Sequence, residues 1–261
     1  MRTSNAINAS KLAAIAFLCA FGGTLAGMAL RRAMPAGHFD ADSRDTIKVG
    51  IGLVATMTAL VLGLVTASAK NTFDGATANV QQVAVDVLVL DRTLARYGPQ
   101  ARELRAALTN AVAARVEAIW PSGAARSAAA NPAQSIVGAT AESVAQAIHA
   151  LAPADDAQRS LQARAADQAE TLLKARWLVL DATEATIPAP FIATLLAWLA
   201  AIFASFGLFA PRNATVIAAL FICALSVASA LFLVLEMETP FGGLLQVSDQ
   251  PLRYALTRLG R

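Results

Sequence analysis

The sequence predicts an all-α membrane protein with four transmembrane helices in two hairpins and a helical soluble segment inserted between them. Of its 261 residues, 56% are hydrophobic and 15% are charged, whereas soluble domains usually carry about 25% charged residues. Four stretches of about twenty residues contain no charged side chain, and the charged residues collect between them. No segment alternates between apolar and polar residues with the period of two expected of a half-buried strand.

The first hairpin is predicted at residues 1–69, with helices at about 12–30 and 49–69. Each apolar stretch is long enough to cross a hydrocarbon core of ~30 Å. A cleaved signal peptide is the alternative for the first stretch, because Arg2 and Lys11 precede it. However, its apolar run exceeds the usual h-region, and Arg31 follows where small cleavage-site residues are expected. We therefore expect a retained helix.

The second hairpin is predicted at residues 187–235, with helices at about 187–210 and 214–235. Pro188 and Pro190 fit the first turn of a helix, where a missing N–H is tolerated. The link between the two helices is short, which favours antiparallel neighbours.

Small residues in the first two spans are predicted to serve helix packing. Gly23 and Gly27 form a small-xxx-small pair in the first span. The second span has small or weakly polar faces formed by Gly50, Gly52, Thr56, Thr66 and Ser68.

The soluble domain is predicted at residues 70–186. Its first helix carries an apolar stripe at helical spacing, formed by Val80, Val83, Val87, Leu90, Leu94 and Tyr97. Gly98-Pro99 should end this helix, and a second helix should end at Trp120-Pro121.

After these two helices the sequence predicts an exposed loop over Pro121 to Pro132, and then a short helix with Val137, Val144 and Ile148 on one face. Asp155 is the expected N-cap of the last helix. Residues 236–261 are predicted to form a tail on the membrane surface, with Leu252, Leu256 and Leu259 on one face.

The sequence offers little chemistry for an enzyme. His38 and His149 have no second His or Cys at metal-ligand spacing, and Cys19 and Cys223 lie inside hydrophobic stretches. Motifs of nucleophilic hydrolases, phosphate-binding loops and dinucleotide-binding folds are absent. We predict no catalysis, no metal and no cofactor. The formal charge of +3 comes without any Lys/Arg-rich block, so the expected partner is the lipid bilayer and not a nucleic acid.

The four apolar stretches also lack Asp, Glu, Lys, Arg and His, which disfavours coupled transport, since such transporters place ionisable groups at depth. Two hypotheses stay open. One is a passive pore built from several copies of the chain. The other is a non-conducting scaffold that binds a partner through the apolar stripe.

The segment after the fourth stretch resembles a known family. Its signature residues are Glu236, Glu238, Pro240, Phe241, Gly242 and Pro251. They resemble the Glu-Asn-Pro-Phe-Gly…Pro-Leu segment of bestrophin anion channels. Three further segments, LVTASAKNTFD at 64–74, LDRTLARYGP at 90–99 and FGLFAPRNAT at 206–215, resemble a bacterial group of bestrophin-like membrane proteins whose function is unknown.

The resemblance implies a homo-oligomer, a ring of about five copies, that passes small anions and has its soluble helices in the cytoplasm. It does not extend to calcium gating, because Gly243 to Gln246 replace the acidic cluster that helps to bind calcium in eukaryotic bestrophins. Counting Lys and Arg near the spans also places both termini and the soluble domain inside, although the first helix alone favours the reverse orientation. Abundant Ala, and Arg in preference to Lys, indicate a bacterial source and thus the inner membrane.

Overall fold

The structure is a computed structural model that describes residues 2–33, 41–121, 142–181, 188–211 and 213–261. Its helices are α1 (Arg2–Ala33), α2 (Ala41–Tyr97), α3 (Arg102–Ile119), α4 (142–149), α5 (Asp156–Asp181), α6 (Ala189–Phe209), α7 (Ala214–Met237) and α8 (Gln250–Arg258). These ranges contain no strand, which confirms the all-α class. Among the described helices, α1, α2, α6 and α7 are long and apolar enough to cross a membrane. Of the predicted features, His38, Val137 and the loop beyond Pro121 lie outside the described residues.

The chain divides into two compact units, and the division falls within α2. The first unit comprises Met1–Phe73 and Ala185–Gln246, and the second comprises Asp74–Glu184 and Val247–Arg261. The helix of the second span was predicted at about 49–69, whereas α2 continues unbroken from Ala41 to Tyr97. The physical reason is local, since no proline interrupts the helix between Lys48 and Tyr97.

In the first unit, α1 packs closely against α6 through small residues. A Cβ on Gly23 would lie 2.7 Å from the carbonyl oxygen of Ala200, and one on Gly27 would lie 1.9 Å from that of Ala204. The predicted role of the two glycines in helix packing is therefore confirmed. The pairs advance together along both chains, so α1 and α6 run parallel. At the end of α1, the guanidinium of Arg31 donates to the carbonyl oxygen of Ala210 at 2.9 Å.

The other neighbour of α1 is α7, and this contact is aromatic. The ring of Phe221 meets those of Phe17 and Phe21 edge-on, each at a centroid distance of 5.3 Å. Ala20 and Ala224 are buried beside them with no exposed surface. Small residues at these positions let the bulky rings interdigitate between the two helices.

Local sequence signals define the helix ends. Pro188 precedes the first turn of α6 and Pro190 lies within it, as predicted. The side chain of Asn213 accepts the Val216 N–H at 2.8 Å and caps α7. The carboxylate of Asp155 accepts the Gln158 N–H at 2.7 Å, which confirms it as the N-cap of α5.

The second unit is a helical bundle whose core includes the stripe of α2. Leu90, Leu94 and Ile148 are completely buried. Side chains of α5 satisfy backbone carbonyls at the ends of other helices. Gln158 donates to the carbonyl of Tyr97 at 3.1 Å, and Gln162 donates to that of Ile148 at 2.9 Å. These bonds fix where α2 and α4 end against α5.

Residues 247–261 belong to this second unit, in which α8 packs on α3. Leu252 and Leu259 are buried against the protein and Leu256 is half-buried. The predicted location of this tail at a membrane surface stays a prediction.

Candidate functional site

The end of α7 carries a buried carboxylate that holds the following loop. Glu236 is 1% exposed. Its Oε2 atom accepts the backbone N–H groups of Leu244 and Leu245 at 2.5 and 3.2 Å. Backbone donors to a carboxylate make charge-assisted bonds, which are stronger than neutral ones. Glu236 therefore fastens the chain that leaves α7 back onto the end of the helix.

The turn between Glu236 and these amides explains the Pro-Phe-Gly part of the signature. The Gly242 N–H donates to the Thr239 carbonyl at 2.9 Å, so Thr239 to Gly242 form a β-turn with Pro240 at its second position. Proline is favoured there because its φ angle is preset, and glycine is common at the fourth position. Pro240 is buried, and Phe241 lies beside it in the turn.

Gly243 completes the loop because no other residue fits. Its φ angle is +78°, in the left-handed region that L side chains avoid. A Cβ at this position would lie 2.2 Å from Oε2 of Glu236. The position of the Glu236 carboxylate therefore requires a glycine at residue 243.

The two remaining signature positions lie on either side of this loop. Glu238 is half-buried, and burial raises the pKa of its carboxyl group. Pro251 lies in the first turn of α8. The described residues contain no cluster of three or more His, Cys, Asp or Glu side chains that could hold a metal ion.

A second feature of the first unit is the exposed face of α2. Only 6% of its most apolar stretch is buried within the described chain, compared with 11% for α7, 28% for α1 and 33% for α6. At 3.6 residues per turn, this face divides into two adjacent sectors. All members of both sectors are exposed. The small sector comprises Gly52, Thr56, Ala59, Gly63 and Ala67. The bulky sector comprises Val49, Leu53, Met57, Leu60 and Leu64.

Within the part of the chain that the structure describes, no neighbour packs against the glycines of the small sector. A Cβ on Gly52 or on Gly63 would meet nothing within 4 Å, and the same holds for Gly50. The Thr56 hydroxyl donates to the Gly52 carbonyl at 2.9 Å, so its polar group is satisfied within the helix. The packing predicted for Gly50 and Gly52 is therefore not seen among the described residues of one chain, and Thr56 is exposed, whereas Thr66 is half-buried.

The comparison with protein families matches residues 18–252 to the bestrophin-like domain. The chain belongs to the bestrophin-like family. No curated protein and no solved structure matches it. The match begins within the first candidate span and covers the other three spans and the Glu236 loop. The resemblance to the family is therefore confirmed.

The apolar stripe of this bestrophin-like protein lies inside the second unit. Five of its six side chains are buried, namely Val80, Val87, Leu90, Leu94 and Tyr97, and Val83 is half-buried. Its role as a partner-binding surface stays a prediction, and the contacts seen here are those of a bundle core.

The bestrophin-like chain also contains a buried ion pair that the sequence analysis missed. Arg105 donates to both carboxylate oxygens of Asp91, at 2.7 and 2.9 Å, and the Asp91 side chain is 1% exposed. These bonds raise the pKa of the Arg105 guanidinium. A signal was present in the sequence, since Asp91 lies four residues after Val87 and three before Leu94, on the same helix face as these apolar residues.

The same guanidinium helps to hold the C-terminal segment of the second unit. Arg105 and Arg92 both donate to the main-chain oxygen of Arg261, at 3.1 and 3.4 Å. At the other end of this segment, the Trp120 indole N–H donates to the Val247 carbonyl at 2.8 Å. The segment is therefore fixed to the bundle at both ends.

The structure describes one histidine and two cysteines, on α4, α1 and α7. His149 is exposed on α4. Cys19 is half-buried and Cys223 is exposed, and both are free thiols on candidate spans.

Proposed function

We propose that this bestrophin-like protein is an oligomeric membrane channel through which small anions pass passively, with α2 of each copy lining the pore. Family membership and the four candidate spans support a membrane protein of this kind. The observation that carries the proposal is the exposed face of α2, because the helix with the least burial in its own chain needs the most cover from elsewhere.

The composition of the small sector suggests that another helix or water, and not lipid, lies against this face of α2. Lipid tails cover bulky aliphatic side chains well. Stripes of Gly, Ala and Thr are instead typical of surfaces where another helix approaches closely. The same residues would leave room for a permeation path, and the bulky sector beside them could narrow it into a hydrophobic gate.

Basic residues flank the α2 span at both ends. Lys48 precedes it and Lys70 follows it, and both are exposed. Lys48 lies 3.1 Å from Asp45, but both side chains are more than 60% exposed, and such surface pairs are worth little. In an assembly, these lysines would form rings of positive charge, which favour anions at pore mouths.

The proposed arrangement is two hairpins with the soluble domain inserted between them, and with the termini and this domain in the cytoplasm of a bacterium. The contacts of α1 support the hairpins, because it runs parallel to α6 and antiparallel to α7. Leu12 and Val65 line one groove, and the eight peptide steps from Ala33 to Ala41 span at most about 29 Å. Because this connection is short, we expect α2 to run antiparallel to α1.

Chloride efflux from liposomes tests the proposal directly. Vesicles that contain the purified protein should release chloride faster than empty vesicles. Lys70→Glu should slow the release, because it reverses the charge at one mouth. Leu60→Ala should speed it, because it widens the bulky sector. Leu225→Ala is the matched control, since Leu225 is similarly exposed but lies on α7, and it should leave the rate unchanged.

The assembly must be checked in the same preparation. Mass measurement in nanodiscs should give several copies, and the resemblance implies about five. A monomer, or silent vesicles that contain a verified and inserted oligomer, would overturn the proposal.

A further inference from the structure

The loop that follows α7 exposes two adjacent leucines. Leu244 is 80% exposed and Leu245 is 38% exposed. Among the residues that the structure describes, no other large hydrophobic side chain is as exposed as Leu244. Single exposed leucines are common on protein surfaces. This pair differs from them in its position in the first unit and in the hydrogen bonds of its backbone.

The pair lies at the end of a candidate span. The apolar run of α7 closes at Leu235, and Glu236 follows about 1.5 Å further along the helix. The backbone nitrogens of Leu244 and Leu245 lie 2.5 and 3.2 Å from Oε2 of Glu236. These distances place both leucines beside the last turn of α7, where a spanning helix leaves the hydrocarbon core.

The chain around the pair carries no charged side chain. Ten consecutive residues, Thr239 to Ser248, are uncharged, although Glu238 and Asp249 border them. A charged side chain is costly to bring into the hydrocarbon of a membrane. The loop can therefore approach the lipid without this cost.

Backbone groups of the loop find their partners within the loop and α7. Both leucine N–H groups donate to the Glu236 carboxylate, which is 1% exposed. The Gly243 carbonyl accepts from the side-chain amide of Gln246 at 2.8 Å. Lipid offers no water to pair with a free backbone group, so such groups must be satisfied internally. Glu236 thus provides the leucine amides with the acceptor that water would otherwise supply.

We propose that Leu244 and Leu245 insert into the interfacial region of the lipid bilayer, with Glu236 satisfying their amides. The insertion requires that α7 crosses a membrane, and it does not require that the protein conducts anions. The uncharged surroundings of the pair favour lipid over a second copy of the chain as its cover, since protein interfaces usually have a polar rim.

Spin labels at single cysteines in the full-length protein test the depth of the pair in liposomes. Cys19 and Cys223 are first replaced by alanine. Leu225→Cys, exposed in the middle of α7, is the lipid reference, and His149→Cys, exposed on α4, is the aqueous reference. A label at Leu244→Cys should be more accessible to oxygen, which enriches in lipid, than to a water-soluble nickel chelate. Its depth should lie between the two references, about 5–10 Å into the interface.

Two outcomes of this measurement would overturn the insertion. Nickel accessibility at Leu244→Cys equal to that at His149→Cys would place the loop in water. Exclusion of both reagents, with spectra broadened by labels on neighbouring copies, would show that a second copy covers the pair.

A pair of substitutions tests the part played by the carboxylate. In the labelled Leu244→Cys protein, Glu236→Ala should raise the nickel accessibility, because the leucine amides then need water. Glu238→Ala is the matched control, since it removes a carboxylate from the same helix end and keeps Glu236, and it should leave the accessibility unchanged. Equal accessibility in the two variants would overturn the role of Glu236. If Glu236→Ala fails to fold, the depth measured with Glu236 in place still decides whether the leucines insert.

Discussion

The contact between α1 and α6 makes a sharp prediction about two glycines on one helix. In Gly27→Ala, the added methyl group would lie 1.9 Å from the Ala204 carbonyl oxygen and 2.9 Å from the Leu208 nitrogen. These are backbone atoms, which cannot rotate away, so the two helices must separate. In Gly22→Ala, the added methyl group would meet nothing within 4 Å.

The two substitutions should change the free energy of unfolding in opposite directions. Overpacking usually lowers the free energy of unfolding by about 1–3 kcal/mol. Because the clash in Gly27→Ala is with rigid backbone, we expect a loss of about 3 kcal/mol. Gly22→Ala should gain up to about 1 kcal/mol, because alanine has the higher helix propensity. The free energies of unfolding of the two variants should thus differ by about 3–4 kcal/mol.

Unfolding in mixed micelles, followed by circular dichroism as the share of denaturing detergent rises, measures this difference. Gly207→Ala provides an independent check from the other side of the contact, since its methyl group would lie 2.0 Å from the Thr24 carbonyl oxygen. It should destabilise the protein like Gly27→Ala. If Gly27→Ala and Gly22→Ala unfold at the same detergent fraction, the close approach of α1 and α6 is refuted.

Three further predictions concern the loop after α7 and the buried ion pair. Glu236→Ala should lower the free energy of unfolding by about 1.5–3 kcal/mol, since the charge-assisted bonds from the Leu244 and Leu245 amides are lost. Gly243→Ala should then cost less in this background than alone, and equal costs in a double-mutant cycle would refute the clash with the carboxylate. Burial raises the pKa of Glu238 above its ordinary 4.5, so the folded state binds the proton more tightly and stability falls as pH rises from about 4.5 through the raised pKa. In thermal melts, Glu238→Gln should be more stable than the wild type at pH values above the raised pKa and equally stable below pH 4.5. A difference in melting temperature that does not change with pH would contradict this prediction. Arg105→Ala should cost about 3–5 kcal/mol in urea unfolding of the second unit, because it leaves the Asp91 carboxylate buried and unpaired; a loss under about 1 kcal/mol would mean that the pair behaves like a surface pair.

Features encoded locally were predictable from the sequence. The spans follow from the length of uncharged runs. The end of α2 follows from Gly98-Pro99, and the start of α5 from the Asp155 cap, because each depends on neighbouring residues only. Gly23 and Gly27 were assigned to packing, but their partner on α6 was not, because a small-residue pair specifies close approach without specifying what approaches.

Long-range partners could not be predicted in this way. The bond from Trp120 to Val247 joins residues that are 127 positions apart, and no periodicity encodes it. The unbroken course of α2 was missed for a different reason. The return of charged residues at Lys70 marks a change of surroundings, and a helix does not have to end where its surroundings change. The role of Glu236 also depends on the later backbone of Leu244 and Leu245, which signature residues alone do not reveal.

The two parts of α2 differ in what surrounds their apolar residues. In the second unit, five of the six side chains of the apolar stripe are buried in a bundle core. In the first unit, none of the described residues covers the glycines of the outward face. The composition of this face is informative because a lipid-facing surface does not require glycine. Gly52 and Gly63 lower helix propensity by about 1 kcal/mol each relative to alanine, and no contact to their Cβ positions among the residues that the structure describes offsets that cost. A second copy or a permeation path at this face would account for both glycines, which is why the test of the proposed channel rests on α2.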